Sequence, residues 1–186
     1  MTRVAIICPG PGAEAFRRDS ESCVIAVNRA IATATDADVW AFSDLHTPAM
    51  AVATDDPRHL VDVHGGCAAL CTLDATRLKL LEGGIGDGRR WLSIDMIEQA
   101  RPIPPSIGWM ATTATRAVGM AVWMGADQID VYGSPLRGDT DWDGYVDDRQ
   151  DRRAARWRDE RVTWSRIAKV LKGRIIAFQR VGADDT

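Results

Sequence analysis

Short apolar runs, each closed by a turn-forming or polar residue, recur along the chain. Val4 to Cys8 ends at Pro9-Gly10, Cys23 to Val27 at Asn28, Val39 to Phe42 at Ser43-Asp44, and Ile129 to Tyr132 at Gly133-Ser134. Runs this short that stay apolar on successive positions read as strands buried on both faces, the pattern of a parallel sheet. Between them, Ala13 to Asp19 and Arg29 to Thr35 read as short helices. The clearest helix is Gly108 to Met124, where Ala111, Ala114, Ala117, Val118 and Ala121 would allow close approach to a sheet. A polar loop to about Asp148 then leads into a long charged helix ending at Leu171, and Arg174 to Gln179 reads as a last strand.

The middle is less regular. Residues 51–101 mix short apolar runs with Gly65-Gly66, Gly83-Gly84 and Gly86-Asp87-Gly88, so strands are expected only near Ala68 to Leu73 and Trp91 to Ile94, and Arg101 to Pro105 reads as a proline-rich hinge. No internal repeat or low-complexity tract divides the chain. A length of 186 residues suits one domain. The expected fold is α/β: a single Rossmann-like domain, residues 1–186, with a mostly parallel sheet and helices on both faces.

Composition narrows the function classes. Hydrophobic residues at 46% and charged residues at 26% argue against disorder. A formal net charge of −3 lacks the basic excess with which duplex-DNA readers neutralise phosphates. No apolar run reaches membrane-spanning length, and the first apolar run stops too soon for a secretion signal, so a cytoplasmic protein without a membrane partner is expected. Cys8, Cys23, Cys67 and Cys71 lie in mostly apolar stretches and read as small buried hydrophobes; Cys67-x3-Cys71 lacks the second pair of a metal site.

In open parallel sheets, ligands bind beyond the carboxyl ends of the strands. That places Gly10-Pro11-Gly12, Asn28-Arg29, Ser43-Asp44 and Gly133-Ser134 at one edge, with the Ser106-Ile107-Gly108 turn expected to open its helix on the same side. Gly10 and Gly12 would let a ligand phosphate approach the backbone, and a helix start behind them would offer free N–H groups; a plain turn is the competing reading. Asn28 could read a base or ribose through a donor and an acceptor at once, or simply cap the helix that follows. Asp44 carries the same ambiguity between a ribose-binding or catalytic carboxylate and a cap. His46 is the one histidine near this edge and could be a general base or a surface residue; His59 and His64 show no metal-ligand spacing.

The loop Asp139-Thr140-Asp141-Trp142-Asp143-Gly144 spaces carboxylates as a calcium loop does, but Gln150 stands where such a loop needs a bidentate glutamate. Asp139, Asp141 and Asp143 could instead hold a divalent metal (manganese, magnesium or calcium) against a nucleotide diphosphate, or form a solvated acidic loop. The helix beyond carries Arg149, Arg152, Arg153, Arg156, Arg158, Arg161 and Arg166. Arg156 and Glu160 are an i,i+4 pair, and Trp157, Trp164, Ile167 and Leu171 mark the apolar stripe. Most of these arginines read as solvated; one or two near the loop could grip phosphates. Trp40, Trp91, Trp109 and Trp123 could belong to the core or to a homodimer face.

The order of these pieces resembles a known family. Val4 to Gly12, then Val24 to Ala30 with Asn28, then Ala37 to Asp44, and later Ser106-Ile107-Gly108 and Ala126 to Gly133, is similar to the small Rossmann-like sialyltransferase group, which includes bacterial and phage branches. The resemblance covers most of the chain and is weakest between Ala51 and Arg101. It implies nucleotide-sugar binding, with Gly10-Pro11-Gly12 at the phosphate, Asn28 near the nucleotide and Ser106 and Gly108 beside it. In that group a histidine late in the chain is the base and tyrosines hold the donor phosphate; here no histidine follows His64.

Two functions compete. One is a glycosyltransferase: Asp44, His46 or a loop aspartate deprotonates a hydroxyl acceptor, Arg137 or Arg156 stabilises the departing phosphate, and the acceptor is a DNA base, as in phage DNA modification, or another alcohol. The other is a nucleotide-binding sensor or sequestering protein without transfer chemistry. A further nucleotide enzyme of the same broad fold, such as a diphosphokinase, is a third reading.

Overall fold

The computed structural model describes residues 2–19, 22–32, 34, 37–42, 68–71, 91–93, 112–137, 153–173 and 177–181. Seven strands form one sheet: β1 (Arg3–Ile7), β2 (Ser22–Val27), β3 (Val39–Phe42), β4 (Ala68–Cys71), β5 (Trp91–Ser93), β6 (Gln128–Tyr132) and β7 (Ala177–Arg180), in the order β5-β4-β3-β2-β1-β6-β7. Every adjacent pair is parallel. β1 lies in the interior, in register with β2 through Val4–Cys23 and with β6 through Val4–Ile129. The expected single α/β sheet is the observed architecture.

Alternate residues of the central strands face two cores. On one face Val4, Ile6, Cys8, Ile25, Val27, Ile129 and Val131 pack against helices α1 (Thr113–Trp123) and α2 (Arg153–Leu171), the latter through Trp164, Ile167 and Leu171. On the other face Ala5, Ile7, Val24, Ala26 and Trp40 pack against Ala13, Ala30, Ile31, Ala34 and Ala37. Ile6, Ile7, Ile25 and Ile129 are fully buried, each worth roughly 1.5–3 kcal/mol of apolar transfer. Both faces are therefore covered, one by α-helices and the other by short 3-10 turns.

Those turns correct two expectations. Helical structure in the first connection is limited to Ala13–Ala15, because Phe16 turns extended and sets its ring edge-on to Tyr132 at 5.3 Å. In the second, where a helix is expected from Arg29 to Thr35, a 3-10 segment over Asn28–Ala32 starts on Asn28 itself; residues 33 and 35 lie outside the described residues. α1 begins at Thr113 rather than Gly108. Thr112 is extended and forms a reciprocal capping box: its Oγ1 accepts from Thr115 N–H while its own N–H donates to Thr115 Oγ1. Ser106 and Gly108 lie outside the described residues. β7 spans Ala177–Arg180 and runs one residue past the expected Gln179; residues 174–176 lie outside the described residues. Trp40 is 4% exposed and belongs to the core rather than to a dimer face. Among the described residues, no helix is long and apolar enough to cross a membrane.

Candidate functional site

From β1, successive strands β2 to β5 lie on one side and β6 and β7 on the other, so the order reverses at β1. The short connection after β1 covers one face, and α1 and α2 cover the other. Divergence of this kind opens a crevice beyond the carboxyl ends of the strands. The loops after β1, β2 and β6 leave the sheet at that edge.

The β1 and β6 loops are locked together by backbone contacts. Cys8 N–H donates to Tyr132 O at 2.9 Å, and Gly10 N–H to Gly133 O at 3.0 Å. A Cβ on Gly10 would stand 2.6 Å from Gly133 O; one on Gly133, at φ +65°, would stand 2.2 Å from Cys8 O and 2.8 Å from Gly10 O. Both glycines thus have a steric reason that needs no ligand. Gly12 sits at φ +96° and donates its N–H to Glu14 Oε2 at 2.9 Å. Ala13, Ala15 and Phe16 N–H groups bond to Gly10, Gly12 and Ala13 carbonyls. The expected helix start with free N–H groups is therefore a single turn whose donors are largely occupied. Pro11 is exposed at its tip.

The β6 loop is held from two further elements. Arg161 of α2 donates to Leu136 O at 2.8 Å, and Arg180 of β7 donates to Ser134 O at 3.3 Å. Leu136 is 1% exposed yet has φ 55°, a left-handed conformation that bulky side chains rarely adopt. Such an outlier persists only where its surroundings over-determine it, here the Arg161 bond and the buried side chain. Arg137 follows it, exposed.

Asn28 closes β2 with φ 51°, also left-handed, and its backbone carbonyl accepts from Trp40 Nε1 at 2.9 Å. Its Oδ1 is buried and has no hydrogen-bond partner among the described residues. That excludes the capping reading, in which Oδ1 would accept from the turn that follows. A buried carboxamide oxygen left unpaired costs about 1–3 kcal/mol, so a partner supplied from outside is the economical account. Arg29 lies beside it, half-buried.

Two buried carboxylates stood unnoticed as such in the sequence. Asp130, in the middle of β6, is fully buried and accepts from Arg3 Nε at 2.8 Å, Gln128 Nε2 at 2.9 Å and Gln179 Nε2 at 2.8 Å. The alternation Gln128-Ile129-Asp130-Val131-Tyr132 is its signal: one face of β6 is polar. Glu160 on α2 is 5% exposed and accepts from Arg156 Nε at 2.8 Å. Burial pushes its carboxyl up, opposed by Arg156. Burial also pushes the Cys8 thiol above the usual thiol range, with the Glu160 charge adding to the effect.

Gly10, Pro11, Gly12, Asn28, Arg29, Gly133, Ser134 and Arg137 thus all lie on loops leaving the carboxyl edge, and Arg156 lies in the first turns of α2. Asp44, His46, Ser106, Gly108, Asp139, Asp141 and Asp143 fall outside the described residues. Among the described residues, no group of three or more His, Cys, Asp or Glu side chains could hold a metal.

No family model and no curated protein sequence matches the chain. Solved structures do. The chain is similar in fold to the sialyltransferase CST-II in complex with a trisaccharide acceptor and CMP, with TM-score 0.59 and 10% identity over 97% of this chain and 81% of that one. A second match, the sialyltransferase CstII from Campylobacter jejuni in complex with the substrate analogue CMP-3FNeuAc, has TM-score 0.48 and 12% identity over 73% of this chain and 65% of that one. At such identities the likeness is one of fold.

Proposed function

We propose that this chain is a glycosyltransferase that takes a nucleotide-sugar donor at the carboxyl edge of its sheet. The observation that carries the reading is Asn28: its buried Oδ1, without a partner among the described residues, stands at the end of β2, one strand from the β1 loop and two from the β6 loop, where a nucleoside N–H or ribose hydroxyl would satisfy it. A fold shared with a sialyltransferase solved with CMP supports the same site class. In this reading Arg29, Ser106 and Gly108 flank the nucleoside, and Gly10, Pro11 and Gly12, with Gly133 and Ser134 opposite, border the donor phosphate. A phosphate seated on Gly12 would displace the Glu14 carboxylate from its N–H.

Transfer then follows ordinary substitution chemistry. The acceptor oxygen bonds to the anomeric carbon, its proton passes to Asp44 or His46, and the bond from that carbon to the phosphate oxygen breaks with its electron pair going to the nucleotide. Arg137 or Arg156 offsets the charge that grows on the departing phosphate. A divalent metal held by Asp139, Asp141 and Asp143 would share that task. The acceptor is a hydroxyl, with a DNA base in a phage as one setting; a cytoplasmic location and a homodimer belong to the same proposal.

The test is thermal stability against a panel of nucleotides and nucleotide sugars, each with and without manganese. A ligand at 100 times its dissociation constant stabilises by about 2.7 kcal/mol, several degrees for this length. A shift with a nucleotide sugar, followed by release of its nucleotide that Asp44→Ala abolishes, supports the transferase. A shift with bare nucleotide and no turnover identifies a sensor instead, and no shift at all refutes both.

A further inference from the structure

Helix α2 holds a carboxylate in a costly place. Glu160 lies one turn before Trp164, which begins the buried stripe, and near enough to the end of β1 for its charge to act on Cys8. A buried carboxylate is penalised unless it is paired, and a neutral side chain of similar size would avoid the cost. The pairing itself is informative. Arg156, one turn earlier, engages Glu160 Oε1 through Nε alone among the described residues, and its guanidinium lies 5.7 Å over the Trp157 ring. The side chain is 50% exposed. A guanidinium satisfies a carboxylate or phosphate best through two parallel N–H bonds, and its terminal Nη1 and Nη2 pair is the fork that makes them. Here the inner nitrogen is tied down and the ring steadies one face, while the terminal nitrogens make no bond among the described residues.

The position suits an anion at the crevice. α2 connects the end of β6 to β7 in a parallel sheet, so its first turns stand at the carboxyl edge, and Arg161 in the next turn reaches Leu136 O just beyond β6. We propose that Arg156 binds the donor phosphate through its terminal nitrogens, and that Glu160 and Trp157 are the positioning residues that hold it there. This rests on the nucleotide-sugar reading above and assigns the phosphate contact to α2, on the opposite side of the crevice from the Gly10 to Gly12 loop.

Calorimetric titration of the full chain with CMP, UMP, AMP and GMP and with the four corresponding nucleosides separates the two claims. The wild type should bind at least one monophosphate about tenfold or more tightly than its nucleoside. Arg156→Gln should lose that preference while keeping nucleoside affinity, and Arg156→Lys, a point charge without the fork, should restore only part of it. Glu160→Gln should weaken the monophosphate alone; Arg156→Gln/Glu160→Gln leaves no unpaired buried charge and should match Arg156→Gln. Folded Arg156→Gln with an unchanged monophosphate-to-nucleoside ratio overturns the inference and leaves the nucleotide reading intact. Equal weakening of monophosphate and nucleoside by Glu160→Gln overturns the positioning role. A wild type that binds none of the eight overturns both the reading and the inference.

Discussion

Replacing Gly133 by alanine strikes the place where two strand ends are joined. Gly133 has φ +65°, and the new Cβ would lie 2.2 Å from Cys8 O and 2.8 Å from Gly10 O. The left-handed conformation alone costs an L-residue roughly 1–2 kcal/mol. Both obstructing atoms are backbone carbonyls, one of them hard against the centre of the sheet, so they cannot swing aside as a flexible side chain would. Overpacking of this kind adds about 1–3 kcal/mol, for a total of about 2–5 kcal/mol against a net stability of about 5–15 kcal/mol. Gly125→Ala is the matched control, because Gly125 has φ +85° and nothing within 4 Å of its added Cβ. At about 2–4 °C per kcal/mol for a chain of this length, Gly125→Ala should lower Tm by about 2–8 °C and Gly133→Ala by clearly more, about 4–20 °C. Circular dichroism melts of the two variants side by side give the difference directly. Equal losses would refute the close approach of the β1 and β6 loops and, with it, the shape given to the crevice.

Other outcomes follow from the same contacts. Asp130→Ala removes an acceptor shared by Arg3, Gln128 and Gln179; urea unfolding should show a loss of about 2–4 kcal/mol, softened because Arg3 and Gln179 can regain water. Thr112→Ala should cost about 1 kcal/mol through the α1 cap, and a neutral substitution there would contradict the capping box. Glu160 has a folded pKa raised above its ordinary value of 4.5, so the stability it contributes is fully present below pH 4.5 and is lost as pH rises through the raised value. The wild type minus Glu160→Gln stability difference should therefore fall over that window, and a rise would contradict the burial. Burial holds the Cys8 thiol high and pushes Cys23 up to about 11, so site-mapped iodoacetamide labelling of the folded chain at pH 8 should spare both; rapid labelling of Cys8 would contradict its place beneath the sheet edge.

Much of the sheet was legible because its central strands are buried on both faces. Val4 to Cys8, Cys23 to Val27 and Val39 to Phe42 announce themselves as unbroken apolar runs, and the turn residues that stop them mark the carboxyl edge. The connections were less legible. Ala13 to Asp19 has helix-forming residues, but Phe16 gains more by turning to meet Tyr132, a contact with a strand far along the chain. Thr112 looked like one residue within a long helix; only its exchange of hydrogen bonds with Thr115 reveals a boundary. At the site, Asn28 stood out in the sequence because a polar residue ended an apolar run. That it is not a cap rests on a left-handed dihedral and an oxygen orphaned among the described residues, neither of which spacing encodes. Glycines suggested a phosphate cradle; that Gly10 and Gly133 also approach each other closely across the β1–β6 junction was not legible. Glu160 was visible as half of an i,i+4 pair, but its burial follows from where α2 lands on the sheet.

The central claim, that Asn28 waits at the carboxyl edge for a nucleotide, is tested by one paired melt. Asn28→Gly suits φ 51°, removes the unpaired buried oxygen and trades its relief, about 1–3 kcal/mol, against the added chain freedom of glycine, about 0.5–1 kcal/mol. The account predicts that ligand-free Asn28→Gly melts at or above the wild type and loses the stabilisation that the wild type gains from its nucleotide. A variant that melts several degrees lower without ligand yet keeps the full ligand-induced shift would mean that Asn28 is structural and that the site lies elsewhere.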